Sequence, residues 1–195
     1  MLFQYYFMTF GEKKSRVIIY HLKQPIEGGF AGMAASKRFS ATPALVVDDS
    51  LLAEGIPGRL SATHGKPLVK VELTREMFYG IKQNRKIARV TLFHELGHYF
   101  HNHYQDGKLD TEEYLWDRYE AAKAGGVLQM EQEADLFAAE YLGTDYACDG
   151  LRELIEYTQR QAETGIVTDT EETELAIAEL ERRIELLKIS QFLSS

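Results

Sequence analysis

The sequence has little cysteine, proline or tryptophan, and it lacks long apolar runs. Its single cysteine, Cys148, excludes a disulfide framework and fits a reducing compartment such as the cytoplasm. Since no run of roughly eighteen apolar residues occurs, we expect no transmembrane helix and no membrane partner. The opening segment MLFQYYFMTF lacks the basic start and the small-residue cleavage site of a signal peptide, so we expect it to belong to the folded protein.

The overall composition is that of a globular protein. Of the 195 residues, 45% are hydrophobic and 27% are charged, which excludes wholesale disorder. The net charge of −8 argues against nucleic acid as a direct partner. The length suits one domain, or one domain with an appended helical arm.

Residues 1–75 carry strand and turn patterns. Short segments rich in β-branched residues and bounded by glycine and proline predict strands at 16–21, 44–48 and 68–73. From about residue 84 the pattern is helical. Helices are predicted at 84–103, 110–124, 127–142, 149–163 and from 168 onward, with N-caps at Asn84, Asp110 and Thr168. The sequence therefore predicts an α+β fold with a small three-stranded sheet packed on a helix bundle.

The last predicted helix carries a regular apolar stripe. Ile177, Leu180, Ile184 and Leu187 are spaced as in a short coiled-coil seam. Two heptads do not establish a coiled coil, and packing of this stripe within its own chain is the favoured interpretation. A homo-oligomer formed through residues 170–192 remains open. We predict a main domain at 1–145 and a helical C-terminal extension at 146–195.

One motif dominates the candidate chemistry. The segment HELGH is an HExxH pattern inside a helix that is apolar nearly all round, which predicts a buried central helix. His94 and His98 are four residues apart, so both imidazoles lie on one face and can reach one tetrahedral zinc ion. Glu95 stands beside the first ligand, where a carboxylate can act as general base. A catalytic zinc needs a third protein ligand.

The third ligand is predicted in the helix at 127–142. At about 100° per residue, Glu131 and Asp135 interrupt the apolar face of this helix, whereas Glu133 lies on the more polar side. A buried carboxylate needs a partner, and a divalent metal is the obvious one. We therefore predict Glu131 as the ligand and Asp135 as the acceptor for the second nitrogen of a ligating histidine. His101 and His103 are less favoured ligands, and Mn²⁺ or Fe²⁺ would also suit such a site.

These segments resemble a known family. RVTLFHELGHYFHNH (89–103) followed by EQEADLFAAEYL (131–142) is similar to the ImmA/IrrE family of zinc metallopeptidases. The resemblance covers about residues 68–142 and implies a zincin-like fold of the gluzincin type. It implies metal ligands at His94, His98 and Glu131, a general base at Glu95 and a supporting acid at Asp135, with the strand at 68–73 at the sheet edge beside the cleft.

The resemblance also implies a function. It implies a cytoplasmic protease of bacterial or phage origin, so we expect a zinc-dependent endopeptidase that cuts a specific regulatory protein such as a transcriptional repressor. An extra predicted helix in 104–126 and the segment YLGT after the acidic helix depart from the family pattern, so specificity does not carry over. The alternative is a non-catalytic zinc-binding regulatory module of the same fold. The intact Glu95 favours the enzyme, because binding alone needs no general base.

Overall fold

A computed structural model of the chain describes residues 3–9, 16–22, 44–62, 69–104, 109 and 111–194. These residues form an α+β structure that is mostly helical, with a 3-10 helix at Asp49–Glu54. The strands are β1 (Phe3–Thr9), β2 (Arg16–Leu22), β3 (Ala44–Val47), β4 (Gly58–Ala62) and β5 (Val69–Leu73). The helices are α1 (Arg75–Lys82), α2 (Lys86–Phe100), α3 (Glu112–Lys123), α4 (Gln129–Leu142), α5 (Thr144–Glu163) and α6 (Thr170–Ser194).

The strands form one mixed sheet in the order β1-β2-β3-β5-β4. β3 and β5 are parallel, and the other neighbouring pairs are antiparallel. Each of the three predicted strands is present, and β1 and β4 extend the sheet beyond the prediction. The prediction that the strand at 68–73 lies at the sheet edge is wrong, because β5 is hydrogen-bonded on both sides. Among the described strands, β4 occupies that edge and packs against α2.

α2 is the central helix, as its apolar sequence predicts. It contacts β4 and β5 of the sheet and the helices α1, α4 and α5. Ile87 and Leu96 belong to an apolar cluster that includes Leu73 of β5. Val90 packs with Leu151 of α5 in a second cluster. Since the sheet and three helices cover α2, the HELGH segment lies in the interior of the protein.

Several helix starts differ from the prediction. Asn84 is not an N-cap, because it has a φ of 58° and lies in the turn between α1 and α2. The cap of α3 is Thr111, whose side chain accepts a backbone N–H of the first turn; the predicted cap Asp110 lies outside the described residues. For α6 the capping side chain is Asp169 rather than Thr168. α5 begins at Thr144, five residues earlier than predicted.

The C-terminal helices pack on the same core as α2. Leu180, Ile184 and Leu187 of the predicted seam are buried with residues of α5, including Cys148. The stripe therefore packs against other helices of the same chain. A homo-oligomer through residues 170–192 and a domain boundary at 145 stay predictions. None of the described helices combines the length and apolar character needed to span a bilayer.

Candidate metal centre

A close helix contact brings the HELGH segment and the acidic segment together. α2 and α4 meet at Gly97, where a Cβ atom would lie 2.7 Å from Cα of Ala134. Glycine permits this approach because any side chain would collide with the backbone of α4. The contact places His94 and His98 of α2 against Glu131 of α4.

These three residues form a compact donor set. Nε2 of His94 lies 3.1 Å from Nε2 of His98 and 3.4 Å from Oε2 of Glu131. Nε2 of His98 lies 3.2 Å from Oε1 of Glu131. A tetrahedral zinc with bonds of about 2.0–2.1 Å separates its ligands by roughly 3.3 Å, so the spacing fits such an ion. The buried group can hold a metal ion, and the three side chains are each at most 10% exposed.

Asp135 fixes the orientation of His94. Oδ1 of Asp135 lies 2.8 Å from Nδ1 of His94. Since a carboxylate only accepts, Nδ1 carries the proton and donates it. In the neutral ring that a metal requires, the Nε2 lone pair is then directed at the other donors. Asp135 is in turn held by Arg183 of α6, with Nε 2.6 Å from Oδ2 and Nη2 2.7 Å from Oδ1. The predicted role of Asp135 is thus geometrically possible.

A second chain of contacts orients His98. Its Nδ1 lies 2.9 Å from Nδ1 of His103, and Nε2 of His103 lies 2.9 Å from Oε2 of Glu133. Glu133 accepts the Nε2 proton of His103, so Nδ1 of His103 is the acceptor and Nδ1 of His98 the donor. The Nε2 lone pair of His98 consequently also faces Glu131. Two imidazole lone pairs and a carboxylate then converge, an arrangement that a cation stabilises.

Side chains of α3 and α6 hold Glu131. Tyr114 of α3 donates its hydroxyl to Oε1 at 2.5 Å, and Nη1 of Arg183 lies 3.3 Å from Oε2. Arg118 of α3 is 3.9 Å from the same oxygen and donates Nε to both carboxylate oxygens of Glu179 on α6. α3 and α6 therefore support the carboxylate from two sides.

Carboxyl groups outnumber guanidinium groups around the donor set. Four carboxyl groups face two guanidinium groups, and one of the four, Glu95, has its pKa raised by burial to about 7. Buried charge of one sign is costly unless it is compensated, and a divalent cation would compensate it. The groups concerned are Glu95, Glu131, Asp135, Glu179, Arg118 and Arg183.

The ionisation of the carboxylates follows their surroundings. Burial acts to raise the pKa of Asp135, but the charge and hydrogen bonds of Arg183 lower it to about 2. Burial likewise acts to raise the pKa of Glu131, but Arg118 and His98 hold it well below its usual range. Both groups are therefore anionic and suited to a cation. Burial raises the pKa of Glu95 to about 7, with Glu131 adding to the rise, which is near the value that suits a general base.

A cavity of about 570 Å³ opens onto the donor set. His94, Glu95 and Glu131 are among its lining residues, and other parts of its wall come from α3, α5, α6 and the turn before β4. Apolar side chains form much of the wall, including Leu151, Leu154 and Leu175. Its size is in the range of small-ligand and peptide sites.

The predicted site residues all lie at this centre. Glu131 and Asp135 are buried, and Glu133 is partly exposed, in agreement with the predicted phase of α4. His101, a less favoured ligand, is exposed beyond the C-terminal end of α2. The functional roles of these residues stay predictions.

Sequence reasoning missed several contributors. His103 and Glu133 act on His98 because the chain turns back after α2, where Asn102 has a φ of 61°. Tyr114 and Arg183 come from segments without a recognised motif. For Arg183 a signal existed, because this charged residue lies on the apolar stripe of α6, the same kind of signal that identified Glu131.

No protein-family model, no curated protein and no solved structure matches this chain.

Proposed function

We propose that the protein is a zinc-dependent peptidase in which His94, His98 and Glu131 hold the metal and Glu95 transfers the proton. The observation that carries this proposal is the buried donor set with its three converging donor atoms at the end of a cavity. The spacing of these atoms, the surplus of carboxyl over guanidinium groups and the orientation of both imidazoles support a divalent cation. Two histidines with a carboxylate favour zinc, although Mn²⁺ and Fe²⁺ are tested alongside it.

The chain's own residues supply the remaining chemistry. When bound, zinc provides a Lewis acid for a peptide carbonyl and lowers the pKa of a water molecule to about 7. Glu95 lines the cavity next to His94, accepts the proton of the attacking water and delivers it to the leaving amide nitrogen. Arg118 also lines the cavity with a side chain that is 32% exposed, and it offers a hydrogen-bond donor to the substrate backbone.

The family resemblance of residues 89–103 and 131–142 extends the proposal. By that analogy the fold is zincin-like and the substrate is a regulatory protein in the cytoplasm, such as a transcriptional repressor. The second candidate is a non-catalytic zinc module. It is favoured by the contacts of Tyr114 and Arg183 with Glu131, because a metal held there would also tie α3 and α6 to the core.

The first experiment measures metal content and affinity in the purified chain, with Glu131→Ala and Glu133→Ala beside the wild type. We expect about one zinc per chain, lost with Glu131→Ala. Glu133→Ala should retain zinc with a lower affinity, since Glu133 acts on His98 only through His103. Absence of binding in the wild type, even after zinc is added, would overturn the proposal. Loss of the metal in Glu133→Ala but not in Glu131→Ala would show that Glu133, and not Glu131, is the ligand.

The second experiment separates the enzyme from the module. The zinc-loaded wild type and Glu95→Gln are incubated with a proteome-derived peptide library, and new termini are identified by mass spectrometry. Catalysis predicts cleavage that disappears in the variant while zinc content is unchanged. Zinc binding without any cleavage, together with an unchanged biological effect of Glu95→Gln, would favour the module.

A further inference from the structure

We propose that Arg183 is a positioning residue of the metal centre: its guanidinium fixes Asp135 and, through Asp135, orients His94 for metal binding. This inference rests on the metal binding in the proposed function, but it does not depend on peptide hydrolysis. It concerns α6, a helix outside the segments that carry the family resemblance. Nothing in the HExxH motif specifies this residue.

The geometry is that of a two-point clamp. Nε and Nη2 of Arg183 donate to the two oxygens of Asp135 at 2.6 and 2.7 Å. The planar guanidinium matches a carboxylate in this paired arrangement, so Asp135 cannot rotate without breaking both hydrogen bonds. Oδ1 of Asp135 accepts at the same time from Nδ1 of His94, at 2.8 Å, and Nη2 of Arg183 itself lies 3.0 Å from that Nδ1. The direction of the imidazole therefore depends on the clamp.

The same guanidinium reaches the ligand carboxylate. Nη1 of Arg183 lies 3.3 Å from Oε2 of Glu131. Glu131 and Asp135 are one turn apart on α4, so a single rigid group spans the metal ligand and the residue that orients another ligand. This arrangement fixes the position of His94 relative to Glu131.

Burial makes these contacts obligatory. The side chains of Arg183, Asp135 and Glu131 are 4%, 3% and 1% exposed. Water cannot replace a lost partner at this depth, so removal of Arg183 leaves a buried carboxylate with one hydrogen-bond partner fewer. The neighbouring Arg182 is exposed and pairs with Glu185 in its own helix. The chain thus offers a matched control one residue away.

A coupling between α6 and the metal follows. If Arg183 orients His94, then a metal bound to His94 favours the position of α6 in which the clamp is closed. By thermodynamic reciprocity, docking of α6 raises metal affinity and metal binding stabilises the docked helix. Backbone amides of α6 near Arg183 should therefore exchange more slowly with deuterium when the wild-type chain is loaded with Zn²⁺.

The test compares Arg183→Met, Arg183→Lys, Asp135→Asn and the control Arg182→Met in the full-length chain. Zn²⁺ affinity is measured by competition with a chromophoric chelator, and the visible spectrum of the Co²⁺-loaded protein reports ligand geometry at saturation. We expect Arg182→Met to match the wild type. We expect Arg183→Met to lose roughly 10- to 100-fold in Zn²⁺ affinity, as changes around a ligating histidine do, and to alter the Co²⁺ spectrum.

Two further comparisons identify the route through Asp135. The losses in Arg183→Met and Asp135→Asn should not add in the double variant, because both break the same clamp. Arg183→Lys keeps the charge without the planar fork, so it should recover part of the affinity but not the wild-type Co²⁺ spectrum. If Arg183→Met does not fold, as judged by circular dichroism, the lysine variant carries the test.

Distinct outcomes overturn the inference. A folded Arg183→Met variant with wild-type Zn²⁺ affinity and an unchanged Co²⁺ spectrum would show that Arg183 does not position His94. Fully additive losses of Zn²⁺ affinity would show that Arg183 acts on the metal centre by a route other than Asp135. A wild-type chain that binds neither metal would overturn this inference and the proposed function together, whereas a wild-type chain that binds zinc irrespective of Arg183 would overturn this inference alone.

Discussion

Gly97, within the HELGH segment, is the point at which α2 and α4 come closest. A Cβ atom at this position would lie 2.7 Å from Cα and 2.9 Å from the carbonyl oxygen of Ala134. Ordinary carbon–carbon contacts begin at about 3.5 Å, so Gly97→Ala requires the helices to separate by roughly 1 Å. The atoms in the way belong to the backbone of α4, which cannot move aside as a flexible side chain would.

Two effects of opposite sign determine the stability of Gly97→Ala. Alanine within a helix gains up to about 1 kcal/mol over glycine, while overpacking of a tight contact costs about 1–3 kcal/mol. We expect a net loss of about 1–2 kcal/mol in the free energy of unfolding. We expect Gly97→Ala to affect Zn²⁺ binding relatively more than it affects the free energy of unfolding. Metal–ligand distances tolerate about 0.2 Å, so displacing Glu131 from both histidines should weaken Zn²⁺ binding at least tenfold.

The assay is urea unfolding in the presence of a chelator, followed by Zn²⁺ competition titration of the folded protein. Gly126→Ala serves as control, because its Cβ would meet only the carbonyl oxygen of Ala121 at 3.4 Å and its φ is not positive. The control should stay within about 0.5 kcal/mol of the wild type. Gly97→Ala with both stability and Zn²⁺ affinity at wild-type values would refute the argument that this contact sets the donor spacing.

Three further predictions concern the supports of the centre. Tyr114→Phe removes the donor to Oε1 of Glu131, so competition titration should show a roughly tenfold loss of Zn²⁺ affinity; unchanged affinity would exclude a role for the hydroxyl. Leu151→Ala truncates a side chain that is 1% exposed, so urea unfolding should show a loss of about 2–5 kcal/mol in the free energy of unfolding. A loss below about 1 kcal/mol would mean that neighbouring side chains relax into the space that Leu151 leaves. Zn²⁺ at about 100 times its dissociation constant should add about 2.7 kcal/mol to the free energy of unfolding, which raises Tm by roughly 5–11 °C. A thermal scan with and without EDTA should show no such rise for Glu131→Ala. An equal rise in that variant would place the metal elsewhere.

The parts of the centre that the sequence predicts are those with a strong helical period. The apolar surroundings of HELGH indicate a buried α2, and the positions of Glu131 and Asp135 on an apolar face indicate that α4 turns them inward. Both features depend on residues three or four apart, which is the range over which a helix fixes side-chain direction. The donor distances follow from the contact at Gly97, which no local pattern specifies.

The sheet was harder to predict because one of its strands has no strand signal. β4 has the sequence GRLSA, in which Leu60 is the only large apolar residue. Its position depends on backbone pairing with β5 and on Leu60, which is 2% exposed against the core. The edge position of the segment at 68–73 is inferred from the family resemblance, and it does not carry over because β4 pairs with the outer side of β5.

Arg183 shows why a charged residue on an apolar stripe is informative. Its partner Asp135 is 48 residues away, so sequence spacing cannot pair them. Yet each interrupts an apolar face of its own helix, and a buried charge implies a complement elsewhere in the fold. Glu179 of α6 is also buried and pairs with Arg118, but at about 100° per residue it lies off the apolar stripe, so the sequence does not identify it. Even with both arginines included, carboxyl groups outnumber guanidinium groups by two around the HELGH site, and this imbalance is one reason for proposing a metal there.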